Sequence, residues 1–188
     1  LPFANMSGDA EQEYFSDGIS EDIITDLSKV SALRVISRNT AFTFKGKHVD
    51  MPQVARQLKV THILEGSVRK SGGRVRITAQ LIDGAADGHV GAERYDRDLN
   101  DIFALQDEIS EAIVAALTLK LLPEEKKTIE QRGTDNVEAY NLFLMARQYS
   151  VIASLGDARM AESIMRLCRK ALELDPNYAR AWALIAVT

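Results

Sequence analysis

The 188-residue sequence is poor in the residues that build covalently or metal-held scaffolds. It has one cysteine, Cys168, and three histidines, His48, His62 and His89, scattered without ligand spacing. A single thiol excludes an internal disulfide and a four-cysteine zinc site, and it suits a reducing compartment, so a cytoplasmic location is expected. Aromatic residues make up only 6% and prolines number four. No apolar run approaches the roughly 18 residues of a membrane-spanning helix, and no membrane segment is expected. Basic residues number 23 against 27 acidic ones, a net charge of −4, which gives no general attraction to nucleic acid. No Gly-x-Ser-x-Gly elbow, His-Glu-x-x-His, kinase signature or phosphate loop occurs, and Gly72-Gly73 lacks the strand-loop-helix context and the lysine that a phosphate loop needs. No catalytic residue, metal ligand or cofactor-binding residue is therefore assigned, and no cofactor is expected.

With 46% hydrophobic and 27% charged residues, the composition is that of an ordinary globular protein. The opening Leu1-Pro2-Phe3 carries no signal-segment pattern. The closing Ala181–Val187 is an apolar helical stretch without a stop signal. The sequence accordingly reads as a fragment of a longer chain.

Residues 1–122 alternate between strand-like and helix-like segments. Leu1–Asn5 reads as the end of a buried strand, and Ser20 as the N-cap of a helix with Ile23, Ile24 and Leu27 on one face. Leu33–Ser37 reads as a second strand. Asp50 is placed to cap a short helix with Pro52 in its first turn and Val54 and Leu58 inward. The strongest strand signal is Thr61–Lys70 followed by Arg74–Asp83 around Ser71-Gly72-Gly73. In the second of these, Val75, Ile77, Ala79 and Leu81 alternate with Arg74, Arg76, Thr78 and Gln80. His89–Tyr95 continues the meander, and a long helix begins near Asn100 or Asp101 with a stripe of Ile102, Leu105, Ile109, Ile113, Ala116 and Leu117. The order β-α-β-α-β-β-β-α implies an α/β fold, a mixed sheet covered by helices. Residues 123–136, charged and containing Gly133, read as a linker. Residues 137–188 read as all helical, with helices over 136–154 and 158–174 and the second ended by Asp175-Pro176-Asn177.

The string Ala171-Leu172-Glu173-Leu174-Asp175-Pro176-Asn177-Tyr178-Ala179-Arg180-Ala181-Trp182 resembles a tetratricopeptide repeat junction. A small residue stands five positions before a proline, and Trp182, Ile185 and Ala186 hold the aromatic, aliphatic and small positions of a following repeat. Paired helices need small residues where their axes approach and a bulky one to fill the remaining hole. Ala139 to Pro176 spans 38 positions, more than the repeat usually has, and the extra residues are placed in a turn at Ser154–Arg159.

Residues 1–122 carry a second resemblance. LPFANMSGDAEQEYFSDGISEDI, LEGSVRKSGGRVRITAQLID and ERYDRDLNDIFALQDEI are similar to the TolB amino-terminal-like domain, with Gly91 where that family's third meander strand carries tryptophan. The resemblance implies a fold similar to anticodon-binding domains and a regulatory or interaction role. It also implies a place ahead of tetratricopeptide repeats in bacterial proteins that carry a class III adenylate or guanylate cyclase domain or a winged-helix DNA-binding domain.

Four groups of residues are candidates for interaction. Asp9, Glu11, Glu13, Asp17, Glu21, Asp22 and Asp26 form a block of carboxylates without an intervening Lys or Arg, whose simplest role is a favourable helix start. Within it, Tyr14, Phe15, Asp17 and Gly18 belong to the family motif and, with Asn5 and Asp9, are expected to fix a loop against the sheet. Arg69, Lys70, Arg74 and Arg76 flank the hairpin tip. With no interleaved aromatic residue for base stacking, edge protection is the favoured role and no nucleic-acid partner is expected. Arg94, Asp96, Arg97, Asp98 and Asp101 alternate in sign and suit ion pairing at the strand-to-helix corner. Trp182, Leu184 and Ile185 are expected to pack on the first repeat and leave an apolar flank, through which a homodimer can form.

The functional expectation is a non-catalytic regulatory fragment of a larger bacterial signalling protein, a class III adenylate cyclase, that binds a protein or peptide through its repeat region. The alternative is a small-ligand- or nucleotide-binding sensory domain of a winged-helix transcriptional regulator, with its cleft between the Asn5–Gly18 loop and the strand ends.

Overall fold

A computed structural model describes residues 1–152 and 158–188. They fall into two compact units, Leu1–Glu130 and Gln131–Thr188.

The first unit is mixed α/β, built on one four-stranded sheet in the order β1-β2-β3-β4. Strand β1 (Ala4–Asn5) runs parallel to β2 (His62–Ser71), with Ala4 opposite Ser67. Strands β3 (Arg74–Asp83) and β4 (Gly88–Asp98) complete an antiparallel meander. The period-two reading of β3 holds: Val75, Ile77, Ala79 and Leu81 are buried, while Arg74 and Arg76 are exposed. Gly72 takes φ +57° in the two-residue turn between β2 and β3, a conformation that only glycine adopts without steric cost. Asp83 closes the next turn by accepting the amides of Ala85 and Ala86 at 2.8 and 2.9 Å. A bulge between Leu81 and Ile82 on β3 leaves Val90 of β4 outside the ladder.

The first helix departs from expectation. It is α1 (Glu13–Ser28), beginning seven residues before the anticipated cap. Ser20 is no cap: its buried hydroxyl donates to the Ser16 carbonyl at 2.7 Å and accepts the Phe3 amide at 2.8 Å. Leu33–Ser37 is neither helix nor strand and joins no ladder, so the expected second strand is absent from the sheet. A short helix α2 (Arg38–Phe42) follows, capped by Ser37. Asp50 caps α3 (Met51–Leu58) as expected, accepting the Gln53 amide at 2.9 Å. Asp98 caps a single 3-10 turn leading into α4 (Ile102–Ala116). Of its anticipated stripe, Ile102, Leu105, Ile109 and Ile113 are buried, whereas Ala116 is exposed.

Helices α1 and α4 pack together over one sheet face, around Phe3, Phe15, Ile19, Val68, Ile77 and Ile109. Because neighbouring residues of a strand point to opposite faces, Ile63 lies on the other face, where it packs with Val54 and Ala55 of α3. The segment expected as a linker is helical in its first half. Helix α5 (Pro123–Glu130) belongs to the first unit, held by Glu125, which accepts the Ser31 amide at 2.8 Å and its hydroxyl at 2.6 Å.

The second unit is helical: α6 (Val137–Ile152), α7 (Ala158–Leu174) and α8 (Ala179–Val187). Helix α7 ends at Leu174, just before Asp175-Pro176-Asn177. Most of the anticipated long turn, residues 154–157, lies outside the described residues. Ala139 and Ala146 of α6, Ala171 of α7 and Ala181 of α8 are fully buried, as close helix approach requires.

Candidate functional site

The anticipated loop residues split between two clusters on α1. In the first, Asn5 donates from Nδ2 to the Asp9 carbonyl at 2.8 Å and accepts the Ser7 amide at 3.0 Å. Asp9 accepts the Glu11 amide at 2.9 Å and so caps the 3-10 turn ahead of α1. The turn is fastened to β2, since the Ser7 hydroxyl accepts the Lys70 amide at 2.9 Å and Arg69 Nε donates to the Met6 carbonyl at 3.0 Å. Lys70 Nζ lies 4.7 Å from the Phe15 ring centroid and 5.6 Å from that of Tyr14, and donates to the Tyr14 hydroxyl at 3.3 Å. A cation over aromatic faces gains about 0.5–2 kcal/mol, depending on desolvation. Burial holds the Lys70 ammonium below its ordinary pKa, and burial raises the Tyr14 hydroxyl, with the Asp9 charge adding to it. Asn5, Asp9, Tyr14, Phe15, Arg69 and Lys70 thus meet at one corner.

In the second cluster, Glu13, Asp17 and Glu21 recur every four residues along α1. Like charges at that spacing destabilise an isolated helix. Here they meet cations from beyond the helix: Lys45 Nζ reaches both Asp17 oxygens at 2.6 Å and Glu13 at 2.8 Å, and Arg38 Nε reaches Glu21 at 2.6 Å. Phe42 lies beneath, its ring centroid 4.2 Å from the Arg38 guanidinium carbon. Asp17 is buried, and the desolvation raises its pKa although Lys45 opposes the shift. Tyr14, Phe15, Asp17 and Gly18 are all helical rather than part of a loop, with Gly18 buried in the interior of α1. Among the described residues, no group of three or more His, Cys, Asp or Glu is placed to hold a metal ion.

The basic residues of the hairpin are paired on the sheet. Asp96 of β4 takes Arg74 on one oxygen and Arg76 on the other, and these two guanidiniums hold its carboxyl down to about 2. Arg97 reaches Glu108 of α4 at 3.1 Å. Arg74 and Arg76 of the ribbon thus pair with Asp96 of the alternating-sign segment, while Arg97 of that segment pairs separately with Glu108.

A cavity lies apart from the anticipated Asn5–Gly18 cleft. It measures about 440 Å³ and opens at the β1 side of β2, between Leu33–Ile36, α1, α3 and the last turns of α4. Its walls are mainly aliphatic, among them Ile24, Leu33, Val35, Leu58, Ile63 and Leu117. Sequence reading missed it because it depends on Leu33–Ile36 standing off the sheet.

In the second unit, Trp182 does not pack inward as expected. It is 56% exposed, with its indole N–H donating to the Pro176 carbonyl at 2.9 Å. The aromatic that fills the helical core is Tyr178, edge-on to Phe143 with ring centroids 5.1 Å apart. A Cβ at Gly133 would stand 2.8 Å from the Tyr178 ring, a close approach that only the folded chain reveals.

The fold and these clusters define the class: a mixed α/β unit followed by a helical unit. No family model matches the chain. It is similar to a protein of Rhizobium meliloti (strain 1021) named "Putative adenylate cyclase 3", 51% identical over 191 residues. That match takes in all of this chain and 31% of the relative, so the chain spans less than a third of that protein's length. Among the described residues, no helix is long and apolar enough to cross a membrane.

Proposed function

We propose that this chain is a non-catalytic regulatory and protein-interaction segment of a larger bacterial class III adenylate cyclase, working in cAMP signalling. The observation that carries the reading is the match of the whole chain to under a third of a longer protein bearing a cyclase name. On this reading the first unit is a TolB amino-terminal-like domain and the second a tetratricopeptide repeat with the first helix of the next. Supporting the repeat assignment, four alanines are buried where α6, α7 and α8 meet, and Trp182, Leu174 and Val187 leave an apolar flank on which a further helix can stack. Coupling to an output domain requires two arrangements that a partner distinguishes energetically.

The test is cAMP formation by the full-length protein with and without residues 1–188. The reading expects turnover in both forms, with its rate or its response to cell extract altered by the excision. A full-length protein that makes no cAMP overturns it. The cavity favours a second reading, a ligand-binding sensory unit. A melting-temperature rise of the first unit with nucleotides or sugars would support that alternative.

A further inference from the structure

We propose that the outer edge of β4 is a pairing surface for a second copy of this chain. Residues 92–98 would lie antiparallel to the same segment of the partner, about a two-fold axis through Tyr95. The proposal concerns the first unit alone and goes beyond the regulatory reading, which it does not require.

The backbone leaves a row of unused groups along that edge. β4 is the last strand in the order β1-β2-β3-β4, and Ala92, Glu93, Arg94, Arg97 and Asp98 are exposed. The Leu99 amide donates to the Gly73 carbonyl at 2.7 Å, and the same register sets Arg97 opposite Val75 and Tyr95 opposite Ile77. Hydrogen-bonded residues alternate along an antiparallel ladder, so the odd-numbered residues of this stretch direct their N–H and C=O at β3. Those of Ala92, Arg94, Asp96 and Asp98 therefore point away from the sheet. The Arg97 guanidinium, 3.3 Å from the Asp96 carbonyl, touches one of these outward groups. Sheet edges are ordinarily blunted by Lys, Pro, bulges or short length. Residues 92–98 contain neither Lys nor Pro, and the β3–β4 bulge at Leu81/Ile82 lies outside them.

The side chains identify the partner. Glu93-Arg94-Tyr95-Asp96-Arg97 reads minus, plus, neutral, minus, plus, and the same string reversed is its charge complement at every position. With Tyr95 opposite the partner's Tyr95, Glu93 meets the partner's Arg97 and Arg94 meets the partner's Asp96. Opposite charges directly across a strand pair are favourable and like charges are not. A slip of two residues one way sets Arg94 against the partner's Arg94, and the other way Asp96 against the partner's Asp96. A slip of one residue puts the outward N–H and C=O groups out of phase. The charge pattern thus selects one register, and that register brings the outward groups of Arg94 and Asp96 together. Arg94 is exposed and makes no hydrogen bond or ion pair among the described residues. The pairing gives it a carboxylate. Asp96, already held by Arg74 and Arg76 of β3, would become the centre of a charge ladder running across both sheets. An interface of this kind uses the same patch on both copies, as a two-fold dimer must.

Light scattering and disulfide trapping on the 188-residue chain test this together. The chain should dimerise as its concentration rises, and Arg94→Glu should weaken the dimer at least tenfold while leaving the melting temperature of the monomer unchanged. Directly opposed residues of a non-hydrogen-bonded antiparallel pair have Cα atoms about 4.5 Å apart, within disulfide reach. The chain carrying both Glu93→Cys and Arg97→Cys should therefore link into a covalent dimer on mild oxidation, because position 93 faces position 97 of the partner. Either substitution alone should not link, since like positions are four residues, or about 13 Å, apart. Cys168, being buried, does not compete. A strict monomer at high concentration overturns the proposal, even where another protein in cell extract covers β4. So does a dimer that Arg94→Glu leaves intact, or linking by a single variant as fast as by the pair.

Discussion

Glu125 and Ser31, 94 residues apart, meet in a two-point contact in which one carboxylate oxygen accepts both the amide and the hydroxyl of the serine. The other oxygen accepts the Leu122 amide at 3.0 Å. This contact makes α5 part of the first unit and gives a pH prediction with a definite sign. The Ser31 hydroxyl first, and then the two amides, hold the Glu125 carboxyl below its ordinary value. A carboxyl with a lowered native pKa contributes stability above its unfolded value and loses it as pH falls through the native one. Glu125→Gln should therefore lower the melting temperature at neutral pH by roughly 2–4 °C. The gap from the unsubstituted chain should narrow steadily below the usual carboxylate range. A gap that stays constant down to acid pH would refute the assignment.

Gly66 supports a close approach of a different kind. A Cβ there would stand 2.3 Å from the Thr78 carbonyl and 3.1 Å from the Phe3 ring. Gly66→Ala should destabilise the first unit by about 1–3 kcal/mol in denaturant titration, through forced shifts in a packed core. Gly73→Ala, with nothing within 4 Å of its added carbon, serves as the control and should stay within about 0.5 kcal/mol.

Cys168 is fully buried on α7, and burial pushes its thiol up to about 11. Alkylation by iodoacetamide near neutral pH should be slower than for a free cysteine by at least two orders of magnitude, since the thiolate is the reacting species. It should become rapid on unfolding. Rapid labelling of the folded chain would show the helical unit to be open.

Trp182 is the sole tryptophan, so its fluorescence reports on the apolar flank directly. At low concentration iodide should quench it strongly, as its 56% exposure requires. If the flank pairs two copies, quenching should fall as concentration rises and light scattering should show a dimer. Undiminished quenching in a strict monomer at high concentration would exclude pairing through this face.

The meander and α3 were legible because their signals are local. Val75 to Leu81 alternate strictly, Gly72 meets the positive φ of the turn, and Asp50 caps the helix within three residues. The failures share a non-local cause. Ser20 has the composition of a cap, but its hydroxyl is used by Phe3 from another segment. Leu33–Ser37 has a strand's pattern, but a strand requires a neighbour to pair with. The run 123–136 reads as linker until Ser31 is known to lie beside Glu125. At the candidate sites, the sequence showed a block of carboxylates with no local cations, and the cations proved to be Lys45 and Arg38, brought in by α2 and the residues after it. Trp182 fitted a repeat motif, yet Tyr178, which approaches Gly133 too closely for a side chain there, fills the core.

The central claim is that these residues regulate or bind but do not catalyse. The most direct measurement incubates the purified 188-residue chain with ATP and magnesium or manganese, beside the full-length protein under the same conditions. The account predicts cAMP from the full-length protein and none above background from the chain. Sustained cAMP formation by the chain alone would contradict it.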